Sequence, residues 1–144
     1  CLDRTNWQLG SFKINILMLS IAHRGIAFPI VWKLLGKKGN SNTQERLHLL
    51  ERLLTFIAVH DIDMLVADRE FIGQTWFDFL TRRNIPFTVR IRQDALVDAS
   101  TNVYLLFKAL KAGHLKVLTQ PYTIYGSNLY LCALRLETNE LLIL

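Results

Sequence analysis

Cysteine is scarce in this chain. Only Cys1 and Cys132 occur among 144 residues, far apart and with no CxxC spacing. That argues against a disulfide-built secreted scaffold and predicts a reducing, cytoplasmic setting. The four histidines (His23, His48, His60 and His114) show neither HxH nor HExxH spacing, so a zinc centre is not expected. No GxxxxGK[ST] loop and no GxSxG elbow is present, which disfavours P-loop nucleotide hydrolysis and α/β-hydrolase chemistry. There is no signal-peptide pattern, no internal repeat and no low-complexity tract. The longest apolar stretch, Ile14 to Leu35, is broken by Asn15, His23, Arg24, Pro29 and Lys33. A membrane span needs roughly 18 or more apolar residues without such breaks, so this stretch reads as two strands of a buried sheet.

Apolar residues and positive charge are plentiful. Hydrophobic residues make up 51% of the chain, enough for a packed core rather than a disordered tail. The formal charge is +5, which suits a polyanionic partner: nucleic acid first, an anionic membrane surface second. The chain opens on Cys1-Leu2-Asp3, read as the last few residues of a strand, and closes on the apolar run Leu141 to Leu144. Domains rarely begin or end inside such elements, so a piece of a longer polypeptide is expected.

Residues 14–22 read as a buried strand, Arg24-Gly25 as a turn, and 26–34 as the hairpin partner. Pro29 removes a ladder donor and assigns that partner to a sheet edge. A polar loop, Gly36 to Asn42, leads into a helix over 43–59, with Asn42 and Glu45 in the capping-box relation. Leu47, Leu50, Leu54 and Ile57 mark its apolar face. A short strand at 64–67 closes on Asp68. A second helix spans 72–83, with Trp76, Phe77 and Leu80 as core candidates and Asn84 and Pro86 as its stop. Residues 87–92 alternate as a strand. Beyond Asp94 a helix at 102–112 precedes strands at 115–125, 128–136 and 140–144. This order predicts a mixed sheet with helices on its faces, followed by a β-rich segment.

Three segments carry a resemblance. Leu2-Asp3-Arg4-Thr5-Asn6-Trp7 resembles the first-aspartate motif of DDE-type transposases of bacterial insertion sequences. Leu65-Val66-Ala67-Asp68-Arg69-Glu70-Phe71-Ile72-Gly73 resembles their second-aspartate motif, and Phe87-Thr88-Val89-Arg90-Ile91-Arg92 the basic strand that follows. The resemblance implies an RNase H-like mixed five-stranded sheet. Residues 1–93 would be the N-terminal part of the catalytic core, and 94–144 the start of a β-rich insertion. It implies a bacterial cytoplasmic protein that binds double-stranded DNA (transposon ends and target), works as a homodimer when intact, and cleaves and joins DNA with magnesium or manganese.

By the same resemblance Asp3 and Asp68 are catalytic and metal-binding, at the ends of adjacent parallel strands. Without it, each reads first as a turn or cap aspartate. Two hard cations roughly 3.5–4 Å apart can activate an oxygen nucleophile and stabilise a leaving oxygen, and carboxylate oxygens suit magnesium. The family's third ligand is a glutamate in a Tyr-Arg-Glu-Lys constellation on a helix after the insertion. No such constellation occurs here, which places the third carboxylate beyond residue 144 and makes the fragment alone inactive. Glu137 and Glu140 fall at a turn, and Glu70 reads as an ion-pair or first-turn carboxylate. Arg90 and Arg92, two residues apart, are the DNA-binding candidates, because guanidinium forks grip phosphate. A solvated strand face neutralised by Asp94 is the alternative. Lys37 and Lys38 lie in a Gly-rich loop where they could touch backbone phosphates, but read mainly as solvated loop lysines. Two other functions stay open: a hydrolytic nuclease of the same fold, and a catalytically dead DNA-binding remnant.

Overall fold

The computed structural model describes residues 1–144. Its centre is a five-stranded sheet of β1 (Leu2–Leu9), β2 (Phe12–His23), β3 (Ile26–Leu34), β4 (Leu65–Ala67) and β5 (Phe87–Val89). The spatial order is β3-β2-β1-β4-β5. The first three strands form an antiparallel meander, while β4 lies parallel to β1 and β5 parallel to β4. β3 is an edge strand, as Pro29 predicts, and a bulge between Leu19 and Ser20 sits opposite that proline.

Two helices cover one face of this sheet. Helix α1 (Thr43–Leu53) buries Arg46, Leu49, Leu50 and Leu53; α2 (Gln74–Arg82) buries Trp76, Phe77 and Leu80. These side chains meet Leu2, Leu17, Leu19, Leu65, Ala67 and Val89 from the strands in one core. Phe77 stacks on Phe87 with ring centroids 5.6 Å apart. Burying each such large side chain contributes roughly 1.5–3 kcal/mol.

The opposite face has no helix, which corrects the expectation of helices on both faces. Trp7, Trp32, Leu34 and Val66 are exposed there, with Ile14, Ile16 and Met18 half-buried between them. The register explains the grouping: Trp7 lies beside Ile14, Ile16 beside Leu34, and Met18 beside Trp32.

Residues beyond β5 build a second core around Val97, Val103, Phe107, Ile124, Leu131 and Ile143. Its strands form two small sheets. One joins β6 (Leu96–Val97), β7 (Thr101–Asn102), β9 (Tyr122–Ile124) and β10 (Ser127–Leu129). The other joins β8 (Leu115–Val117), β11 (Cys132–Arg135) and β12 (Leu141–Ile143). A short helix, α3 (Val103–Phe107), lies between β7 and β8. The two cores are stitched together at several points. Ile91 bridges Ile143, Ser127 Oγ donates to Asp78 Oδ1 at 3.0 Å, and Tyr125 packs against Phe77.

Several predicted elements are shorter than the sequence pattern suggests. α1 stops at Leu53 rather than 59, and its deeply buried face is Arg46, Leu49, Leu50 and Leu53; Leu47, Leu54 and Ile57 pack at its margin. α3 has five residues, and the Arg135 guanidinium donates to the carbonyls of Lys108 and Leu110 just past its end. The strands expected at 115–125 and 128–136 each divide between the two small sheets, at Pro121 and at Tyr130-Leu131. The 87–92 strand ends at Val89 and continues as a single bridge at Ile91. β1 is an eight-residue strand rather than the tail of one.

Candidate functional site

β1 and β4 meet at one bridge, Leu2 opposite Ala67. Both of those side chains are buried in the core. In a parallel pair the next residue on each strand follows at the adjacent position and turns to the opposite face. Those residues are Asp3 and Asp68, and both are exposed. Asp3 therefore faces the helix-free side of the sheet, beside Met18, and Asp68 follows directly on the end of β4, one residue past the same bridge. Asp3 stands near the start of β1, not at its end, because β1 runs on to Leu9 while β4 stops at Ala67. Asp3 Oδ1 accepts a hydrogen bond from the Arg4 N–H at 2.7 Å, and the Asp68 carbonyl accepts from the Phe71 N–H at 2.9 Å.

The side chain of Arg4 points the other way and holds the two segments together. Its guanidinium meets Glu70 through Nε at 3.1 Å to each carboxylate oxygen and through a second nitrogen at 3.0 Å. It also donates to Asn6, Asn15 and Asn40. The loop after Asp68 is fixed from below by Arg46. That buried guanidinium donates to the carbonyls of Glu70 and Ile72 and to Ser41, and lies 5.2 Å from the centroid of the Phe71 ring. Burial pulls its pKa below the ordinary arginine value, against the opposing pull of Glu70 and Glu45.

Arg90 and Arg92 flank the buried Ile91 and line one polar cavity of about 580 Å³ together with Arg69, Gln93, Asp94 and Glu140. Each of the two has a carboxylate partner. Arg90 donates to Glu140 at 2.6 Å, and Arg92 makes a two-pronged pair with Asp94 at 2.9 and 2.8 Å. The hydrogen bond from Arg92 holds the Asp94 carboxyl below the usual range, and Asp94 raises the Arg92 guanidinium in return. Arg69, directly after Asp68, enters the same cavity without an ion-pair partner. The sequence points to two of the three arginines at this opening, Arg90 and Arg92, by their spacing, and misses Arg69. Arg69 is visible only as part of the second-aspartate motif. Nothing in the spacing marks Arg4 or Arg46 as the residues that fix the geometry, since their partners lie far along the chain.

Asp3 and Asp68 offer hard oxygen donors at adjacent positions, a set that fits magnesium or manganese better than a soft metal. No group of three or more His, Cys, Asp or Glu side chains is gathered anywhere in the molecule. No helix is long and apolar enough to cross a membrane.

No protein-family model, no curated protein and no solved structure matches this chain.

Proposed function

We propose that this chain is part of the RNase H-like catalytic core of a DDE-type transposase, binding DNA and divalent metal for phosphodiester cleavage and strand transfer. The observation that supports the reading is the Leu2–Ala67 bridge between parallel strands, from which Asp3 and Asp68 each follow by one residue. A three-stranded antiparallel meander followed by parallel βα units in one sheet is what the resemblance requires. The β-rich segment after residue 93 has its own core, as an insertion would. In this reading a helix from outside these residues covers the open sheet face and brings the third carboxylate.

Asp3 and Asp68 would hold magnesium or manganese, which activates an oxygen nucleophile and stabilises the leaving oxygen when bound. Arg69, Arg90 and Arg92 grip phosphates at the adjoining cavity, with Glu140 and Asp94 occupying two of the forks until DNA displaces them. Two carboxylates alone carry too little charge to hold two divalent ions tightly, so metal binds mainly together with a DNA phosphate.

A second reading is favoured by the presence of only two adjacent carboxylates: a DNA-binding module that does no chemistry. Fluorescence anisotropy with labelled duplex DNA separates the two. A metal site predicts that magnesium raises DNA affinity several-fold over a matched monovalent-salt control, and that Asp3→Ala and Asp68→Ala each abolish the increment. An affinity indifferent to magnesium and to Asp3→Ala would sink the transposase reading and leave the binding module.

A further inference from the structure

A second anion-binding element lies at the far end of β1, in the loop Gly36-Lys37-Lys38-Gly39-Asn40. We propose that this loop, with Lys13, is a DNA-backbone phosphate site separate from the arginine cavity. The inference rests on the DNA-binding reading above and extends it to a surface that reading does not use.

Asn15 in β2 is a polar side chain buried to 5% exposure. Its amide nitrogen donates to the carbonyl of Lys37 at 3.0 Å and to that of Gly39 at 2.8 Å. A peptide is planar and trans, so its N–H points away from its own C=O. With those two carbonyls turned inward, the N–H groups of Lys38 and Asn40 turn outward. Gly39 supports the turn with φ +87°, a backbone region that side chains disfavour. None of the peptide N–H groups from Gly36 to Ser41 donates to a protein acceptor. Residues 36–40 are all exposed. Outward-facing peptide N–H groups on a glycine loop are the elements from which phosphate-binding nests are built.

The loop walls a cleft of about 760 Å³ whose other lining comes from β1 and β2, including Asn6, Gln8 and Lys13. Three lysines line it (Lys13, Lys37 and Lys38), and no carboxylate does. Only Lys37 is neutralised, by Glu45 at 2.9 Å. Lys13 and Lys38 therefore leave two uncompensated charges beside the free N–H groups. Arg4 braces the same loop through Asn15 and Asn40 while pairing with Glu70, so the loop is anchored to the segment that carries Asp68.

Gln8 is five residues along β1 from Asp3, roughly 17 Å at the usual strand rise. Gln8, Lys13 and Asn15 in the cleft lining point to the helix side of the sheet, whereas Asp3 points to the other. DNA held here is thus a separate segment from that at the arginine cavity, or one that passes around the β1–β2 hairpin.

The test combines two readouts on the whole chain with a labelled duplex. In ¹⁵N amide spectra, the Lys38 and Asn40 signals should shift on adding DNA. In anisotropy titrations across salt, the slope of log K against log salt should shrink by about 1.8 in Lys13→Ala/Lys38→Ala, at roughly 0.9 per lost phosphate contact. Both variant sites are exposed, so folding should survive, and circular dichroism checks it. Unmoved Lys38 and Asn40 amides at saturating DNA, or an unchanged slope in the lysine variant while Arg69→Ala/Arg90→Ala/Arg92→Ala flattens it, would overturn this site and leave the proposed function intact. A chain that binds no DNA overturns both. If inorganic phosphate alone then moves the two amides, the loop is a site for free phosphate and not for DNA.

Discussion

At the scale of single residues, Arg4 does the most to define the site's shape. It stands next to Asp3, and its guanidinium joins Glu70, Asn6, Asn15 and Asn40 in one cluster. The side chains of Arg4 and Glu70 are 14% and 18% exposed, so the pair is shielded from water far more than a surface ion pair. Removing one partner leaves the other charge poorly solvated. Glu70→Ala should cost about 2 kcal/mol of unfolding free energy in urea titrations. The exchanged pair Arg4→Glu/Glu70→Arg should recover part of that loss. Additive losses in the exchanged variant would show that the pair is not a unit. Glu70 could be read as an ion-pair residue from its motif, but not its partner, 66 residues away. Arg46 is a similar case. Its place among apolar helix positions gives no sign that it reaches the carbonyls of the loop after Asp68.

At the scale of elements, the local signals were legible where the chemistry is local. The Asn42–Glu45 capping box forms with both of its hydrogen bonds, 2.7 and 2.9 Å, and Pro29 lies on an edge strand. Burial pushes the Glu45 carboxyl up, but the Asn42 N–H and the Lys37 ammonium outweigh it and hold it below its ordinary value. A depressed carboxyl stabilises the fold above its unfolded pKa, near 4.3, and loses that contribution as pH falls through the lower folded value. Acid titration followed by far-UV circular dichroism should therefore show helix loss below about pH 4.3, and Glu45→Gln should flatten that part of the curve. An identical curve for Glu45→Gln would show that another group governs the transition. Element lengths were less legible. β1 alternates polar and apolar residues after Asp3, and only its pairing with β2 along all eight positions makes it a strand. α3 ends where Arg135 caps the following carbonyls, and the late strands divide because they serve two sheets; both involve tertiary contacts outside any local pattern.

At the scale of the whole molecule, two cores share one frame, and the five-stranded sheet keeps one face bare. That bare face carries Asp3 beside the apolar group of Trp7, Ile14, Ile16, Met18 and Trp32, with Asp68 at the end of the adjoining β4. The pairing of the two aspartates came from motif resemblance, since nothing in residue spacing joins positions 3 and 68. The bare face was not legible at all, because β2 reads as apolar on both sides and gives no hint that helices cover only one. The central claim is that these two carboxylates form one metal site. Manganese titration of the ¹⁵N-labelled chain with a short duplex tests it most directly, because the ion broadens nearby amide signals. Broadening should begin at Leu2 to Arg4 and at Ala67 to Arg69 together, and should vanish in Asp3→Asn/Asp68→Asn. Broadening centred on other carboxylates such as Asp61 and Asp63, or unchanged in that variant, would contradict the account.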